Sequence, residues 1–258
     1  MADLRIGDLA GKSVLITGAS TGIGADLARA FAAQGALVGL HYHASEEAAK
    51  AVAAEIAAAG GKVHLIRADI SQPDAVRAMV AEHVAAFGRL DGLINNAGGM
   101  VRRIAYEWAT EADYDQIMDL NAKSVLVACG AALPHLKAAG GGFIINTTSF
   151  AARNGAGGGA GLYGSSKSFV SNLTRGMAKE FIAYGIRVNA VSPGVIATPF
   201  HERYSSQAQM AAMVASVPQG RAGLAQDCVG AFLFLASAAL SGYIIGQVIE
   251  VNGGQLMP

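Results

Sequence analysis

Short apolar runs alternate along the chain with longer segments in which apolar residues recur at helical spacing. Seven runs rich in Val, Ile and Leu lie at residues 13–17, 36–42, 62–67, 90–94, 143–146, 187–191 and 247–251. Segments with helical spacing lie at residues 24–34, 45–59, 111–138, 162–184 and 227–236, and one more opens at residue 71. Near-continuous apolar strands are typical of parallel sheets buried on both faces. The alternation predicts an α/β fold, a single doubly wound (Rossmann-type) domain with about seven parallel strands and helices on both faces.

Local signals refine this outline. Ser45, followed by two glutamates, predicts a side-chain cap at the start of the second helix. Residues 194–220 show no clear period, which predicts an irregular segment, and we expect substrate specificity to vary there. No linker divides the chain, because the glycine-rich patch Gly155–Gly161 is too short for one. Residues 1–258 are therefore expected to form one dinucleotide-binding and catalytic domain.

Composition excludes several classes of protein. Hydrophobic residues make up 52% of the 258 residues and charged residues 15%, so the chain is not disordered. Nineteen basic residues balance nineteen acidic ones, which argues against nucleic-acid binding. There is no apolar leader pattern and no run of about 18 uninterrupted apolar residues, so no membrane span is expected. The two cysteines, Cys129 and Cys228, indicate buried thiols in a reducing, cytoplasmic setting.

A glycine cluster follows the first strand directly and opens the first helix. Gly18, Gly22 and Gly24 stand in a GxxxGxG pattern within TGASTGIG. In this position a tight turn lets the backbone approach a pyrophosphate, and the helix N-terminus supplies N–H groups and positive charge. As a bare pattern it is weak, since glycine is abundant here, but its placement favours a phosphate-binding turn over a purely structural one.

Two further groups carry candidate chemistry. Asn95-Asn96-Ala97-Gly98 follows the fourth strand, where ligands bind in open α/β sheets. Tyr163 and Lys167 are four residues apart in a predicted helix and so share one face, with Ser149 at the end of an earlier strand. A tyrosine is a poor acid–base group at neutral pH unless a nearby positive charge favours its phenolate, and Lys167 can supply that charge.

Together these segments resemble the short-chain dehydrogenase/reductase family over essentially the whole chain. TGASTGIG, NNAG, Asn121, Ser149, YGSSK, Pro193-Gly194 and the closing VNGG occur in the family's order and approximate spacing. The resemblance implies an NAD(P)-dependent oxidoreductase that moves a hydride between a nicotinamide cofactor and a ketone or secondary alcohol. Such a site needs no metal.

The resemblance also implies residue roles. Tyr163 would be the general acid/base, Lys167 would lower its pKa and bind the nicotinamide ribose, Ser149 would hold the carbonyl oxygen, and Asn121 would hold a water linking Lys167 to solvent. The remaining cofactor contacts would be Gly18, Ser20, Thr21, Ile23, Gly24, Tyr42, His43, Ser45, Asp69, Ile70, Asn95, Ala97, Gly98, Pro193, Gly194, Ile196 and Thr198.

The end of the second strand favours NADP(H), with NAD(H) as the second choice. A carboxylate at this point would chelate the ribose hydroxyls of NAD and repel a 2′-phosphate, but the family's pattern places Tyr42 there. His43 and Ser45 can donate hydrogen bonds to a phosphate. Thr21 stands where an Arg or Lys often reinforces phosphate binding, so the preference is expected to be modest.

Several alternatives stay open at this point. The substrate is a small carbonyl or alcohol compound, either 3-oxoacyl (carrier protein) reductase-like or sugar/polyol dehydrogenase-like. Arg102 and Arg103 either meet an anion or carrier protein or form a solvated pair, the second being favoured. His41 and His43 have no third ligand nearby, so a metal site is disfavoured. The family pairs its long helices across subunits, which predicts a homotetramer. A non-catalytic cofactor sensor or scaffold is the competing class of function.

Overall fold

The sheet at the centre of the molecule is the feature that the alternating pattern predicts. The structure is a computed structural model and describes residues 5–257. The seven strands are β1 (Ser13–Ile16), β2 (Leu37–Tyr42), β3 (Lys62–Arg67), β4 (Gly92–Asn95), β5 (Gly142–Thr147), β6 (Ile186–Pro193) and β9 (Val248–Val251). They are all parallel, in the order β3-β2-β1-β4-β5-β6-β9. The predicted parallel, doubly wound sheet is thus confirmed.

Helices cover both faces of the sheet. They are α1 (Gly22–Ala33), α2 (Glu46–Ala58), α3 (Pro73–Phe87), α4 (Glu111–Met118), α5 (Ser124–Ala138), α6 (Ala151–Asn154), α7 (Gly161–Phe181), α8 (Pro199–Tyr204), α9 (Gln207–Ala215), α10 (Ala225–Ala236) and α11 (Ala238–Ser241). One core holds Phe31 of α1, Ile56 of α2 and Phe232 of α10. The core on the opposite face holds residues of α3, α5 and α7.

The connection order creates a crevice at the carboxyl ends of the two central strands β1 and β4. From β1 the chain moves outward to β2 and β3, and then returns to β4 on the other side of β1. The connections that leave the carboxyl ends of β1 and β4 therefore run to opposite sides, and a space opens between the loops that follow these two strands. In open α/β sheets, ligands bind at such a switch point.

The predicted long helix 111–138 is interrupted. A π-helical turn, Asp119–Lys123, joins α4 to α5 and contains Asn121. A π turn inserts one extra residue into a helical turn and is frequent at functional sites. The periodicity of apolar residues cannot reveal this π turn, because helical spacing continues on both sides of it.

The segment 194–220 is more regular than expected. It holds α8 and α9, and the short strand β7 (Ile196–Ala197) pairs with β8 (Gly223–Leu224). The irregular interpretation was wrong because Ser205 and Ser206 divide two short helices. Ser206 caps α9 through a hydrogen bond from the Gln209 backbone N–H.

One smaller prediction also fails. Ser45 occupies the N-cap position of α2 but makes no side-chain capping bond. Cys129 and Cys228 are free and buried, as predicted.

Within residues 5–257, one helical stretch is long and apolar enough to cross a membrane by length and composition alone. It is Glu111–Ala138, 28 residues that include the π turn, with mean hydropathy 1.2 in its most apolar window. Interior helices of folded domains show the same composition. Here Val125, Ala128 and Ala132 pack into the core against α3, α7 and the sheet.

Candidate functional site

The glycine turn after β1 is shaped by close backbone contacts. Gly18 has φ +64°, and a Cβ there would lie 2.9 Å from the Ala97 Cα. A Cβ on Gly24 would lie 2.1 Å from the Gly18 carbonyl oxygen. Thr21, the N-cap residue of α1, makes no side-chain capping bond, so the first N–H groups of the helix stay available. A turn without Cβ atoms beside an uncapped helix N-terminus fits a pyrophosphate.

Asn96, not Asn95, joins the loop after β4 to this turn. Its Nδ2 donates to the carbonyl oxygens of Thr17 (3.0 Å) and Gly18 (3.1 Å). The Thr17 hydroxyl oxygen accepts from the N–H groups of Asn96 and Ala97. Sequence reasoning missed this role of Asn96, although the residue stands within the NNAG motif.

The Asn95 side chain points into the core. Its Nδ2 donates to Asn146 Oδ1 (2.9 Å), and the side chain is buried beneath the cleft. The expectation that Asn95 lines the cofactor is therefore wrong for its side chain. Asn96, the first residue after β4, points towards the turn instead.

His41 is a structural residue behind the glycine turn. Its Nδ1 accepts from the Gly18 N–H at 3.0 Å, and its Nε2 lies 3.1 Å from the Ala68 carbonyl oxygen. Burial lowers the pKa of His41 to about 4, so the ring is neutral, with the proton on Nε2. No cluster of three or more His, Cys, Asp or Glu side chains able to hold a metal occurs within residues 5–257.

One cleft of about 720 Å³ runs along the carboxyl ends of the strands and gathers most of the predicted site. The predicted residues that line it are Gly18, Ser20, Thr21, Ile23, Tyr42, His43, Ser45, Asp69, Ile70, Ala97, Gly98, Ser149, Tyr163, Lys167, Pro193, Gly194, Ile196 and Thr198. Gly24, Asn95 and Asn121 lie behind its wall. Its volume lies in the range of cofactor and ligand pockets.

Tyr163 and Lys167 occupy one face of α7 inside the cleft. Lys167 Nζ lies 5.9 Å from the centre of the Tyr163 ring and donates to the Thr147 carbonyl oxygen at 2.9 Å. Burial lowers the pKa of Lys167 to about 8. Burial also raises the pKa of Tyr163 to about 12, and the Ser149 hydroxyl only partly offsets this. Tyr163 is therefore a protonated phenol at neutral pH, whereas the sequence predicted a lowered pKa.

Asn121 supports the site from behind. Its Nδ2 donates to the carbonyl oxygens of Gly99 (2.8 Å) and Ile117 (2.9 Å), and its Oδ1 accepts from the Gly99 N–H (3.0 Å). Both amide donors are thus used within the protein. A Cβ on Gly98 would lie 2.6 Å from Asn121 Oδ1 and 3.2 Å from Lys167 Nζ. The π turn therefore fixes the loop that lies against Lys167.

Aromatic side chains from α8 close the substrate end of the cleft. The Phe200 ring lies 5.5 Å from the Tyr163 ring and 5.0 Å from the Tyr204 ring. Sequence reasoning placed specificity in this segment but named neither Phe200 nor Tyr204 as a site residue. Only the three-dimensional placement of α8 shows that they meet Tyr163.

Known proteins match this chain over nearly all of its length. The model of a family described as Enoyl-(Acyl carrier protein) reductase matches residues 18–255. A 3-oxoacyl-(acyl-carrier-protein) reductase of Staphylococcus aureus (strain Mu50) is 38% identical, covering 95% of this chain and 98% of that protein. A 2-dehydro-3-deoxy-D-gluconate 5-dehydrogenase of Escherichia coli (strain K12) is 38% identical, covering 96% of both chains.

Solved structures agree. The NADH-dependent reductase A1-R′ in complex with NAD is 39% identical, with TM-score 0.88 over 98% of this chain and 100% of that one. A short chain dehydrogenase of Burkholderia cenocepacia J2315 in complex with NADP is 36% identical, with TM-score 0.89 over 96% and 98% of the two chains. The cleft, the glycine turn and these likenesses agree, and the chain belongs to the short-chain dehydrogenase/reductase family of NAD(P)-dependent oxidoreductases.

Proposed function

We propose that Tyr163, Lys167 and Ser149 carry out the proton chemistry of a reversible ketone–alcohol interconversion. The observation that carries this proposal is the placement of all three in the cleft that the glycine turn enters. The nicotinamide cofactor supplies or accepts the hydride when bound. The chain's own groups orient the substrate oxygen and manage one proton.

Each group has a distinct part. The Tyr163 phenol, protonated at neutral pH, donates its proton to the carbonyl oxygen during reduction and takes it back during oxidation. The Ser149 hydroxyl holds the same oxygen. The Lys167 ammonium stabilises the phenolate that forms, because the two charges attract in a site shielded from water.

The cofactor would lie along the carboxyl ends of the strands. Gly18, Ser20 and Thr21 and the N-terminus of α1 would hold the pyrophosphate. A Cβ on Gly22 would lie 3.3 Å from the Thr198 side chain, so Thr198 faces this turn and would border the nicotinamide half. The absence of any acid among Tyr42, His43, Ala44 and Ser45 supports NADP(H) over NAD(H).

The experiment is a panel of polyols, sugar ketones, β-keto esters and 3-oxoacyl thioesters with both cofactors, read by the absorbance of reduced nicotinamide. Turnover of at least one compound by the wild type, and its loss in Tyr163→Phe, is the expected result. Turnover that survives in Tyr163→Phe would remove Tyr163 from the mechanism.

We further propose that residues 1–258 act as one catalytic unit in a cytoplasmic homotetramer. One sheet spans the chain from Ser13 to Val251. Leu126 of α5 and Phe169 of α7 are 46% and 42% exposed, so the paired long helices carry apolar side chains without cover within one subunit. Light scattering at micromolar concentration tests the assembly, and a monomer of 26.2 kDa would contradict it.

A further inference from the structure

Arg103 is a half-buried cation in the substrate end of the cleft, and its hydrogen bonds go only to neutral groups. Its Nε donates to the Tyr204 carbonyl oxygen (2.5 Å), its Nη1 to the Gly158 carbonyl oxygen (2.9 Å) and its Nη2 to the Ser205 hydroxyl (3.3 Å). A guanidinium has five N–H donors. One donor on each terminal nitrogen is therefore left over, and the pair can meet a planar anion.

The neighbouring arginine shows the contrast. Arg102 is exposed, lies outside the cleft and pairs with Asp113 at 2.6 Å. Arg103 has no acidic partner among residues 5–257. Burial lowers the pKa of Arg103, and no nearby carboxylate counteracts this shift. A charge that is partly desolvated and unpaired costs stability, which a protein tolerates where a ligand supplies the counter-charge.

The charges along the cleft are unevenly distributed. Among the described residues that line it, the only carboxylate is Asp69, which accepts two hydrogen bonds from Ser71 at the adenosine end. The substrate end instead carries the cations Arg103, Arg203 and Lys167. An anionic substrate would therefore be attracted there and meet no like charge.

Arg103 is connected to Tyr163 through helix α8 and lines the same cleft. It bonds the backbone of Tyr204, whose ring packs on Phe200, which in turn packs on Tyr163. A Cβ on Gly99 would lie 3.2 Å from the Tyr204 hydroxyl, so this aromatic group also contacts the loop beside Lys167. The guanidinium therefore anchors the backbone of the residue whose ring packs, through Phe200, towards the Tyr163 phenol in the same cleft.

We propose that Arg103 binds the carboxylate of the substrate, so that the enzyme acts on small keto acids and the corresponding hydroxy acids. This rests on the ketone–alcohol chemistry proposed above and narrows its substrate class. A carboxylate matches the two free donors in a bidentate pair. The hydrogen bonds to Tyr204, Ser205 and Gly158 fix the guanidinium, which sets the distance between the carboxylate and the carbonyl that is reduced.

The test compares each acid with its neutral ester. Pyruvate, acetoacetate and levulinate differ in the separation of carbonyl and carboxylate, and each is assayed beside its methyl ester with NADPH and NADH. The enzymes are wild type, Arg103→Met and Arg103→Lys. Arg102→Met is the control, since it removes a charge one residue away and outside the cleft.

We expect kcat/KM of the wild type to favour at least one acid over its ester by roughly tenfold or more, the effect of one charge-assisted pair. Arg103→Met should lose that preference by lowering kcat/KM for the acid while leaving the ester within about threefold. Arg103→Lys should retain part of the preference for the acid, because lysine keeps the positive charge but lacks the two parallel N–H donors of a guanidinium. Arg102→Met should keep the preference.

Other outcomes overturn the assignment. Esters or 3-oxoacyl thioesters that are turned over as well as the acids by the wild type would exclude a carboxylate site. An equal loss for acid and ester in Arg103→Met would show that Arg103 only braces the loops. Turnover of polyols, sugar ketones or thioesters from the panel above without turnover of any acid would also reject the carboxylate site. Absence of turnover with these acids and esters and with every member of that panel would instead reject the underlying ketone–alcohol chemistry, so the two failures are distinguishable.

Discussion

Asn121 and Gly99 are joined by a reciprocal pair of hydrogen bonds, with the Asn121 amide donating to the Gly99 carbonyl oxygen and accepting from the Gly99 N–H. A side chain that satisfies both backbone groups of one residue acts in the same way as a neighbouring strand. Both residues are buried, so no solvent competes for these bonds. The loop that follows β4 is therefore anchored to the π turn.

Replacing Asn121 should destabilise the fold as well as the site. Asn121→Ala leaves the buried N–H and C=O groups of Gly99 without partners, and each such group costs about 1–3 kcal/mol. We expect the free energy of unfolding in urea to fall by at least about 2 kcal/mol. The control is Asn154→Ala, which removes one exposed hydrogen bond to the Ala156 N–H and should change stability little. Equal losses in the two variants would contradict the anchoring role.

Tyr163→Phe should abolish turnover while cofactor binding persists. General acid–base catalysis contributes about 10²–10⁴-fold, and the phenol is the proton donor. The measurement is kcat beside the cofactor Kd from fluorescence titration. The matched control is Tyr204→Phe, which removes the neighbouring phenol and should keep at least a tenth of the activity. A large loss of kcat in Tyr204→Phe alone would reassign the proton to Tyr204.

Lys167→Met should lose activity and gain stability at neutral pH. Burial lowers the pKa of Lys167 from 10.5 to about 8. At about 1.36 kcal/mol per pKa unit, charging the buried lysine costs the folded state about 3 kcal/mol below pH 8. Loss of the bond to Thr147 costs about 1 kcal/mol, which leaves a net gain of about 2 kcal/mol at pH 7.

The sign of the pH dependence checks this assignment. Between about pH 8 and 10.5 the unfolded wild type binds the Lys167 proton more strongly than the folded protein does. Wild-type stability therefore rises with pH across this window. The advantage of Lys167→Met should shrink over the same interval, as measured by urea unfolding at several pH values. A variant that is less stable than wild type at pH 7 would show that the ammonium is not penalised by burial.

Cofactor preference should reverse on adding an acid at the end of β2. Tyr42→Asp places a carboxylate where it repels a 2′-phosphate and can chelate the ribose hydroxyls of NAD. We expect kcat/KM for NADPH to fall at least roughly tenfold relative to NADH. Tyr42→Phe keeps the ring and should leave the ratio near that of wild type. A wild-type enzyme that already prefers NADH would show that the missing carboxylate is not decisive.

Much of this fold is predictable because parallel strands that are buried on both faces have nearly continuous apolar sequences. The glycine turn is also predictable. A Cβ on Gly18 or on Gly24 would lie within 3 Å of a backbone atom of another residue, so glycine is required at both positions. The sequence does not predict which of the two side chains, Asn95 or Asn96, reaches the glycine turn. Two adjacent, chemically identical side chains point in opposite directions where β4 ends, and the pairing of Asn95 with Asn146 across the sheet decides that Asn96 is the one that reaches the turn.

The partners of Arg103 could not be predicted for a different reason. Gly158 lies 55 residues away along the chain and Tyr204 lies 101 residues away. Both of these contacts are made by a backbone carbonyl, which every residue type offers equally. Local patterns can therefore mark an arginine near the site without showing whether it is solvated or held in the cleft.

The π turn at Asp119–Lys123 also sets a constraint on chain length. One residue advances an α-helix by about 100°, so deleting a single residue here would close the bulge and rotate α4 by that angle relative to α5. Asp113 would then turn away from Arg102, and Asn121 would leave Gly99. Among natural relatives, the number of residues between positions 113 and 121 should therefore vary less than their identities. An insertion or deletion in this stretch should be rarer than any substitution.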